Sequence, residues 1–482
     1  MYKNILKEKN MGGDTMRLNS YFKDLKDDIF FKDIKDDSRL VKKNDLFFAI
    51  KGDNFDGEKY ISEAIDNGAS FIISKRNLVS YPSLTAPNPK ELLNSMLNFY
   101  YNKHQMLHNI AVTGTDGKTT TSYLINHVLN DVSRSILIGT NGIYFLNRHF
   151  KLQNTTPSNS IIYEALDNAY LYKAQYSVIE MSSEGILNNR GLFLSFNGLI
   201  FTNISHEHLN THKTMKRYLN CKLSLNKCLR PNSLILINYD MNYYAYVRKR
   251  LKGHIMTYGL NGGDFQAKNI RISLSRTIFD VYYKGYFLGQ IITNLFGEYN
   301  VYNLLASIGY LYEMGIPFSI IKKSLSQKLQ VEGRFELIKD KDKFYIIDFA
   351  HTPYGVKATL EALNKVKKGR IISILGCQGN KDKSKRPLMG KFATSLSDIT
   401  IFTSEDPKDE KITSILADMT KKAKNSYYLS LYRDEAIRLG VSLMKDNDIL
   451  IIFGKGRENT ERYGNYIFYH SDLKLLKEAL KT

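Results

Sequence analysis

The sequence predicts an α/β protein of several domains, since short apolar runs alternate with segments of helical spacing along most of its 482 residues. The runs at 45–50 and 69–74 have the length and apolar content of buried strands. Between them, residues 60–67 have helical spacing and stop at Gly68, a residue type that commonly ends a helix. A chain of this length exceeds one ordinary hydrophobic core, so we expect more than one domain.

The same alternation continues through the rest of the chain. A strand at 110–112 is followed by a glycine-rich turn and a helical run at 119–129. Further strands are predicted at 177–180, 198–201, 233–237, 344–349, 370–375, 399–403 and 448–453. Strands that alternate with helices form parallel sheets, whose ligands lie outside the carboxyl ends of the strands. The pattern separates into three predicted domains, 1–105, 106–334 and 335–482.

The composition is that of a folded protein without membrane insertion. Hydrophobic residues make up 43% of the chain, yet no apolar stretch approaches the ~18 residues that a membrane span needs. Residues 1–14 are polar and Lys-rich, so we expect no secretory signal there. Three cysteines in a chain of this size do not form a disulfide scaffold, and their spacing matches no common zinc pattern. These features favour the reducing cytoplasm.

A formal net charge of +20 raises the alternative of nucleic-acid binding. The lysines, however, are scattered through every segment and form neither a run nor a stacking motif. We therefore expect the charge to attract an anionic small substrate, and we predict no nucleic-acid partner.

A phosphate-binding loop is predicted where residues 113–120, Thr-Gly-Thr-Asp-Gly-Lys-Thr-Thr, join a strand to a helix. Two glycines allow the backbone to curl so that its N–H groups face an anion, and the helix adds the positive end of its dipole. The lysine can neutralise phosphate charge, and the threonine after it can reach Mg²⁺. The alternative is a tight turn with a chance Gly-Lys-Thr, but the strand–loop–helix context favours a nucleotide and a central domain like that of the P-loop ATPases. The implied ATP-binding residues of the loop are Gly114, Thr115, Asp116, Gly117, Lys118, Thr119 and Thr120.

This loop is shorter than the common nucleotide-binding pattern, with only two residues between its first glycine and the Gly-Lys pair. The compressed form resembles the loop of the Mur ligases and of the folylpolyglutamate synthetases. The resemblance extends from Asp37 to about Asp472 and is strongest to the Mur ligases that act as UDP-N-acetylmuramoyl-tripeptide synthetases, which implies a Rossmann-like third domain. Folylpolyglutamate synthesis is disfavoured, because the blocks at 37–57 and 154–157 have no role in it.

The resemblance implies a UDP-linked substrate. The Asp-Ser-Arg tripeptide at 37–39 resembles a uridine-binding motif in which the serine contacts the nucleotide. The Asn-Thr-Thr-Pro segment at 154–157 resembles a loop that binds the muramoyl peptide, and Arg190 matches an arginine that holds its acidic part. The substrate residues implied in this way are Ser38, Asn154, Thr155, Thr156, Ser182, Asn188 and Arg190.

The resemblance also implies a magnesium site. Glu180, in a Glu-Met-Ser-Ser segment after a predicted strand, matches a carboxylate that binds magnesium, a hard ion that prefers oxygen ligands. His208 matches a second metal ligand within a block at 202–210. Lys222 falls at the position of a lysine that the family carbamylates with CO₂. Together with Thr119, these residues form the implied metal set.

Further matched segments imply residues that contact ATP and close over it. Asn300 and Asn303 match the start of a helix that contacts ATP, and Arg334 matches an arginine between the central and third domains. His351 and Lys385 match residues that the third domain contributes at the nucleotide. The implied catalytic residues are Lys118, His208, Lys222 and Arg334.

The implied acceptor site is where the chain departs most from the family. The family's Asp-Asn-Pro-Arg, which recognises the far end of meso-diaminopimelate, appears at 405–408 as Glu-Asp-Pro-Lys, whose lysine lacks the planar fork with which arginine holds a carboxylate. The family's Gly-Lys-Gly-His-Glu appears at 454–458 with Arg457 in place of histidine. The implied amino-acid-binding residues are Arg386, Glu405, Asp406, Lys408, Gly454 and Glu458. Two acids with one flexible cation favour a diamino acid, with meso- or LL-diaminopimelate first and lysine next.

As a whole, the resemblance implies a two-step ligation in peptidoglycan-precursor synthesis. The D-glutamyl carboxylate of UDP-N-acetylmuramoyl-L-alanyl-D-glutamate attacks ATP, and an amino group then attacks the acyl phosphate. ATP and Mg²⁺ are the implied cofactors, and a monomer is expected. Departures from the family pattern at Glu184, Asn188, Glu207 and Asn210 keep open a related ligase that joins another carboxylate and amine. The other alternative is a non-catalytic basic protein that binds nucleic acid.

Overall fold

The computed structural model describes residues 15–25, 27–52 and 56–481, and the polar segment at 1–14 lies outside them. Among these described residues, no helix combines the length and the apolar content needed to cross a bilayer. The chain divides into two compact units. The first contains Met1–Ala111, Leu129–Leu199 and Ser224–Ser233, and the second contains Val112–Val128, Ile200–Leu223 and Leu234–Thr482.

Strands and helices alternate along the whole described chain. Up to residue 107 the elements are β1 (Met16–Arg17), β2 (Phe30–Phe31), β3 (Ile34–Lys35), β4 (Asp45–Phe48), α1 (Ile61–Asp66), β5 (Ala69–Ser74), β6 (Ser83–Thr85) and α2 (Pro89–Tyr100). From 108 to 334 they are β7 (His108–Thr113), α3 (Lys118–Val132), β8 (Ser135–Gly139), β9 (Gly142–Phe145), β10 (Arg148–Phe150), α4 (Asn159–Leu171), β11 (Tyr176–Glu180), α5 (Ser183–Leu187), β12 (Phe196–Phe201), α6 (Leu209–His212), α7 (Met215–Leu223), β13 (Leu229–Asn238), α8 (Tyr244–Arg248), β14 (His254–Gly259), β15 (Phe265–Ser273), β16 (Arg276–Tyr283), β17 (Tyr286–Thr293), α9 (Glu298–Glu313) and α10 (Phe318–Leu325). From 335 they are β18 (Glu336–Asp340), β19 (Lys343–Asp348), α11 (Pro353–Asn364), β20 (Ile371–Leu375), α12 (Arg386–Leu396), β21 (Ile399–Phe402), α13 (Ile412–Thr420), β22 (Tyr428–Leu429), α14 (Arg433–Ser442), β23 (Ile449–Phe453), β24 (Thr460–Tyr463), β25 (Tyr466–Tyr469) and α15 (Asp472–Ala479). Single 3-10 turns lie at Leu18–Ser20, Ser38–Leu40, Gly57–Tyr60, Lys103–Met106, Ser224–Cys228 and Lys383–Lys385.

In the first unit, β3 to β6 form a parallel sheet in chain order. Its buried side chains, such as Phe47 and Ile72, pack with Ile61 and Ala64 of α1. Farther along the chain, β8 pairs with β11 in parallel and with β9 in antiparallel, and β9 pairs with β10. The strands predicted near 45, 69 and 177 are thereby confirmed as β4, β5 and β11.

In the second unit, β13 to β15 pair in parallel, and β15 to β17 continue as an antiparallel meander. Helix α9 is buried over most of its length, with apolar residues on nearly every side. The sequence predicted β13 and the start of α9, but it did not predict the meander from β15 to β17.

The C-terminal part of the second unit is a six-stranded sheet in the order β18-β19-β23-β20-β21-β22. Every pair in it is parallel except β18 with β19. Helices α11, α12 and α13 contribute to the apolar cluster on one set of strand residues, and α14 and α15 contribute to the cluster on the alternate set. A parallel sheet covered on both faces favours apolar residues at every strand position, which explains the uninterrupted apolar sequence of β23 and the single polar residue, Ser373, in β20.

Parallel pairing places the carboxyl ends of β19, β20, β21 and β23 along one edge of that sheet. The segments that follow these ends are 349–353, 376–385, 403–408 and 454–458. All four segments contain residues that the sequence analysis placed at the amino acid or at the nucleotide. The sheet topology therefore gathers them at the edge where ligands of such sheets bind.

Candidate active site

The predicted phosphate loop joins β7 to α3, and its backbone adopts positive φ angles that glycine accommodates. Gly114 has φ +147° and Gly117 has φ +83°. A Cβ atom on Gly114 would lie 1.8 Å from Thr202 Oγ1, and one on Gly117 would lie 2.3 Å from Asn303 Oδ1. Both positions therefore exclude any side chain, and the loop is followed directly by the N-terminus of α3, a favourable place for an anion.

Neighbouring polar groups hold this loop in place from the end of β12. The backbone carbonyl of Asp116 accepts hydrogen bonds from Thr202 Oγ1 at 2.7 Å and Asn203 Nδ2 at 3.0 Å. The Asp116 N–H donates to Asn203 Oδ1 at 2.9 Å. The Asp116 carboxylate accepts from Thr352 Oγ1 at 3.2 Å and Ser205 Oγ at 3.3 Å. Sequence reasoning gave Thr202, Asn203 and Ser205 no individual role, although they follow a predicted strand.

Two lysines converge on one carbonyl oxygen of the loop. Lys118 Nζ donates to the Gly114 carbonyl at 3.1 Å and to the Thr115 carbonyl at 2.8 Å. Lys222 Nζ donates to the same Gly114 carbonyl at 2.8 Å and lies 4.9 Å from the centre of the Tyr218 ring. Lys222 is 1% exposed, and its burial, followed by the charge of Lys118, lowers its pKa well below the ordinary value. Burial and the charge of Lys118 thus both favour the neutral amine of Lys222 over its ammonium.

Burial and nearby positive charge also lower the pKa of His208. This residue has φ +58° and precedes α6. Burial, and then the positive charges of Lys222 and Lys118, lower its pKa to about 2. The imidazole is therefore neutral at physiological pH, the form that can bind a metal ion. Over residues 15–25, 27–52 and 56–481, the side chains form no cluster of three or more His, Cys, Asp or Glu suited to a metal ion.

A cavity of about 630 Å³ opens beside the loop within the second unit. This volume is in the range of small-molecule and nucleotide sites. Asn300 and Asn303 of α9 line it, and Asn303 Nδ2 donates to Asn300 Oδ1 at 3.0 Å. Thr120 of the loop also lines the cavity. The structure therefore brings these three predicted ATP-binding residues to one cavity.

The same cavity exposes polar residues that the sequence did not single out. Asp240, just beyond β13, accepts hydrogen bonds from the N–H groups of Leu260 at 2.6 Å and Asn261 at 3.1 Å. Tyr302 of α9 donates its hydroxyl to Asp240 at 2.9 Å. Their signal in the sequence was their position: Asp240 follows a strand, and Tyr302 lies between the two predicted asparagines.

Arg334 lines the cavity, and His351 lies in the segment after β19. Arg334 Nη2 donates to Thr119 Oγ1 at 3.1 Å, and its guanidinium lies 4.4 Å from the centre of the Phe349 ring. His351 Nδ1 lies 2.9 Å from the Phe349 carbonyl. Burial, and then the charge of Lys385, lower the pKa of His351 to about 3. The structure thus places Arg334 at Thr119 of the loop, and His351 against Phe349 and Lys385.

Lys385 is buried, and its ammonium donates two hydrogen bonds. Its Nζ donates to Glu207 Oε1 at 3.1 Å and to the His351 carbonyl at 2.9 Å. Burial disfavours its ammonium, but the Glu207 carboxylate outweighs this effect and raises the pKa of Lys385. The positive charge of Lys385 is therefore retained beside His351.

In the first unit, the segment after β11 meets the predicted substrate loop. The Glu180 carboxylate accepts hydrogen bonds from the N–H and the hydroxyl of Thr140, both at 3.0 Å. Thr155 Oγ1 lies 3.0 Å from Thr140 Oγ1. A Cβ atom on Gly139 would lie 2.1 Å from Glu180 Oε1, so glycine is required there. Glu180 and Thr155 are thereby brought together.

Thr156 connects the other predicted substrate residues of this unit. Its hydroxyl donates to the Glu180 carbonyl at 2.8 Å and accepts from the Ser182 N–H at 3.0 Å. Its own carbonyl accepts from Arg190 Nη1 at 3.1 Å. Ser182 also caps α5 by accepting from the Gly185 N–H at 3.1 Å.

Three other residues of the predicted substrate set have local partners or face solvent. Ser38 is buried and donates to Glu63 Oε2 at 2.7 Å. Asn188 Nδ2 donates to the Glu184 carbonyl at 2.8 Å, within one helical turn. Asn154 is exposed. The structure does not group these side chains with Glu180 and Thr156.

The acceptor residues cluster at the carboxyl edge of the C-terminal sheet. Lys455 Nζ donates to Asp406 Oδ1 at 3.0 Å and lies 3.5 Å from Glu458 Oε2. Glu405 is 1% exposed and its Oε2 has no hydrogen-bond partner among the described residues. Burial raises the pKa of Glu405 to about 7. A Cβ atom on Gly454 would lie 2.1 Å from that same Oε2, so the glycine makes room for the carboxylate.

Lys408 and Asp406 adopt left-handed backbone conformations, with φ +53° and +43°. The backbone of this segment pairs with the β24 strand, where the Lys408 N–H donates to the Arg462 carbonyl at 3.0 Å. Burial, and then the charge of Lys381, lower the pKa of Lys408. An anion from a ligand would relieve the repulsion between these two lysines.

Arg386 is held away from ligands by carboxylates of the protein itself. Its Nη1 donates to Glu410 Oε2 at 3.0 Å and Asp418 Oδ2 at 3.1 Å, and its Nη2 donates to Glu410 Oε1 at 3.0 Å. The side chain is 1% exposed. A carboxylate of an amino acid would have to displace Glu410 to bind it.

Three family models match the chain. They are described as the Mur ligase family catalytic domain at residues 31–112, the Mur ligase middle domain at 112–311 and the Mur ligase glutamate ligase domain at 333–456.

Curated relatives match over nearly the whole chain. A UDP-N-acetylmuramoyl-L-alanyl-D-glutamate–2,6-diaminopimelate ligase of Clostridium botulinum is 34% identical over 458 residues, covering 92% of this chain and 94% of the relative. A ligase of the same name from Aquifex aeolicus is 35% identical over 451 residues, covering 92% of each chain. A solved structure of a ligase with that name is 25% identical with a TM-score of 0.64, covering 97% of this chain and 99% of that chain. This chain belongs to the Mur ligase family.

Proposed function

We propose that this chain is an ATP-dependent ligase that adds an amino acid to the D-glutamate of UDP-N-acetylmuramoyl-L-alanyl-D-glutamate in peptidoglycan-precursor synthesis. The names of relatives 34% and 35% identical over nearly the whole chain support this substrate. The observation that carries the proposal is the convergence of Lys118 and the buried Lys222 on one carbonyl of the phosphate loop. Lys118 is placed to meet phosphate charge, and burial shifts Lys222 towards the neutral amine, the form that adds CO₂.

The first step activates the substrate carboxylate. Lys118 would neutralise charge on the β- and γ-phosphates while a carboxylate oxygen attacks the γ-phosphorus in line. The bond between this phosphorus and the bridging oxygen breaks, and ADP leaves with the electron pair. Arg334, which rests on Thr119 in this structure, is close enough to the loop to contact the phosphates instead.

The second step forms the amide. The neutral amino group of the acceptor attacks the carbonyl carbon of the acyl phosphate, phosphate leaves, and the nitrogen loses its proton. Little covalent chemistry falls to the protein, so orientation and electrostatics supply most of the rate enhancement. His351 and Lys385 would help to keep water from the acyl phosphate.

Mg²⁺ is part of the proposal. Thr119, Glu180, His208 and a carbamylated Lys222 are the residues that would hold it. The neutral imidazole of His208 fits a metal ligand. The burial that lowers the pKa of Lys222 favours the amine that forms a carbamate, whose oxygens suit a hard cation. When bound, the ion withdraws charge from the phosphate oxygens.

The charges of the acceptor cluster favour a diamino acid. Glu405, Asp406 and Glu458 are three acids set against Lys408 and Lys455, so an additional ammonium is accommodated. A carboxylate at the far end of the acceptor would offset the burial and the charge of Lys381, which lower the pKa of Lys408. Diaminopimelate supplies both groups and lysine supplies only the ammonium. We therefore place diaminopimelate before lysine, and Arg386 outside the acceptor site.

We propose that residues 1–105 bind the UDP-linked substrate, that 106–334 bind ATP and that 335–482 bind the amino acid. We further propose that the enzyme acts as a monomer in the cytoplasm. Cys221, Cys228 and Cys377, which form no disulfide in the described part of the chain, would stay reduced there. Light scattering of the purified chain at working concentration tests the monomer, and a dimer peak would exclude it.

The deciding experiment supplies the purified chain with UDP-N-acetylmuramoyl-L-alanyl-D-glutamate, ATP and MgCl₂. Meso-diaminopimelate, LL-diaminopimelate and L-lysine are added in separate reactions, and phosphate release is followed together with the product mass. We expect release that depends on a diamino acid, with a product heavier by that amino acid less one water. Absence of release with every acceptor would overturn the proposed substrate pair and favour another carboxylate and amine.

A variant tests the assignment of the acceptor. Lys408→Ala is expected to lose turnover of diaminopimelate while retaining any use of lysine, because it removes only the cation for the far carboxylate. The exposed pair of Arg438 with Asp434, on α14, provides Arg438→Ala as a control for loss of a positive charge elsewhere in the same domain. Unchanged diaminopimelate turnover in Lys408→Ala would contradict the assignment.

A further inference from the structure

A two-pronged ion pair joins Arg457 to Glu336. Arg457 Nε donates to Glu336 Oε2 and Arg457 Nη2 donates to Glu336 Oε1, both at 2.5 Å. The Glu336 side chain is 6% exposed and that of Arg457 is 38% exposed. Gln330 Nε2 also donates to Glu336 Oε1 at 2.7 Å, so the carboxylate is held from both sides. The hydrogen bonds with Glu336 raise the pKa of Arg457.

The pair is embedded in a close contact between two segments of the second unit. We call residues 332–336 the linking segment and residues 454–458 the acceptor loop. A Cβ atom on Gly456 would lie 2.8 Å from the Gly333 oxygen, and one on Gly333 would lie 2.8 Å from the Arg457 nitrogen. These glycines have φ +53° and +70°. The two backbones therefore touch directly, with no side chain between them.

Each segment also carries a residue of the proposed reaction. In the linking segment, Arg334 donates to Thr119 Oγ1 of the phosphate loop at 3.1 Å. In the acceptor loop, Glu458 lies beside Lys455, which holds Asp406. Glu336 is two residues from Arg334, and Arg457 is adjacent to Glu458. The ion pair is thus a short physical connection between the phosphate loop and the acceptor's acid.

We propose that Arg457 is a positioning residue, whose ion pair with Glu336 holds Glu458 for the amino acid and makes the affinity for that amino acid depend on nucleotide in the loop. This inference rests on the proposed function, which assigns Glu458 to the acceptor. Phosphate in the loop attracts Arg334 from Thr119 and shifts the linking segment. The two-pronged pair and the glycine contacts transmit this shift to the acceptor loop. By thermodynamic linkage, the bound amino acid then raises the affinity for nucleotide by the same factor as nucleotide raises the affinity for the amino acid.

Arginine suits this role better than the histidine that the family pattern has at this position. A guanidinium donates two parallel hydrogen bonds to one carboxylate, which fixes both distance and orientation. A histidine ring nitrogen donates only one hydrogen bond to a carboxylate. A loop held by that single bond could still rotate about it.

The test uses the full chain and separates binding of the two small substrates. Arg457→Ala and Glu336→Gln are each expected to raise the KM for the amino acid roughly tenfold, with the KM for ATP within about twofold of the wild type. Arg457→Lys should be intermediate, and the exchange Glu336→Arg with Arg457→Glu should recover part of the loss. Arg438→Ala, which removes an exposed arginine from α14, is the matched control and should change neither KM.

A second readout needs nucleotide alone. A non-hydrolysable ATP analogue should slow amide hydrogen exchange at 454–458 in the wild type and leave it unaltered in Arg457→Ala. An unchanged KM for the amino acid, an equal rise of both KM values, or the same slowing of exchange in wild type and variant would overturn the inference. A wild-type chain without amino-acid-dependent phosphate release would instead refute the proposed function, while the exchange experiment would still decide the connection between loops.

Discussion

Replacing Gly117 by alanine tests whether the close approach of the phosphate loop to α9 holds the nucleotide site together. The residue has φ +83°, a conformation that costs an L-residue about 1–2 kcal/mol. The new Cβ would lie 2.3 Å from Asn303 Oδ1, so the carboxamide would have to withdraw by about 0.7 Å to reach the 3.0 Å of the shortest ordinary contacts. Asn303 is buried, accepts from Thr121 at 3.3 Å and donates to Asn300 at 3.0 Å.

Each of those two hydrogen bonds contributes about 1 kcal/mol. Gly117→Ala should therefore lower the free energy of unfolding by roughly 3–4 kcal/mol, the backbone strain and the disturbed hydrogen bonds together. The nucleotide should also bind much more weakly, because both the loop and Asn303 line its cavity. Urea denaturation measures the first effect and calorimetric titration with an ATP analogue measures the second.

Gly315→Ala is the matched control. Gly315 has φ +88°, yet a Cβ there would have nothing within 4 Å. It should lose only the backbone term of about 1–2 kcal/mol and bind nucleotide normally. Equal destabilisation of the two variants, or normal nucleotide binding by Gly117→Ala, would refute the role given to the contact with Asn303.

Three further predictions follow from buried charged groups. Lys222→Ala should lower turnover by about 100-fold, and removal of dissolved CO₂ should slow the wild type but not this variant, as measured by phosphate release. Burial raises the pKa of Glu405 from 4.5 to about 7, so between these values the folded chain binds more protons than the unfolded chain and loses stability as the pH rises. Glu405→Gln should consequently be more stable than the wild type by up to roughly 3 kcal/mol at pH 8 and similar to it at pH 4.5 in urea denaturation; a gain at pH 4.5 alone would contradict this sign. Arg433→Leu leaves the buried Asp472 without its 2.7 Å ion-pair partner and should cost roughly 3–5 kcal/mol at pH 7, most of which the double variant with Asp472→Leu should recover by the same measurement.

Strands buried on both faces were predictable from the sequence alone. Each residue of β23 lies in the apolar cluster on one face of its sheet or on the other, so all five are apolar, and the resulting run is visible without knowledge of any partner. The meander from β15 to β17 was not predicted for the opposite reason. Its strands mix buried residues with exposed ones such as Tyr286, which is 77% exposed, and only pairing with neighbouring strands identifies them.

In the candidate site, too, the residues that form a local sequence pattern were predictable, and those with distant partners were not. The loop at 113–120 was visible because phosphate binding by backbone N–H groups needs a local pattern of glycines before a helix. The supporting roles of Thr202, Asn203 and Asp240 were not visible, since each is an ordinary polar residue whose partners lie far away in the chain. For Arg386 the motif was misleading. Its place in the motif implied that it binds a ligand, whereas in the structure its guanidinium donates to Glu410 and Asp418, 24 and 32 residues away.

The sequence by itself determined the buried strands of the parallel sheets, the phosphate loop and the family. These depend on short-range patterns: apolar runs, the positions of glycines and motif spacing. Only the tertiary structure decided which ionisable groups have shifted pKa values, which are paired and which face a cavity. The pKa of Lys222 is lowered because this lysine is buried beside Lys118, and Arg457 connects two functional segments because Glu336 faces it. Burial and the charges of distant residues control such properties, and a linear pattern contains neither.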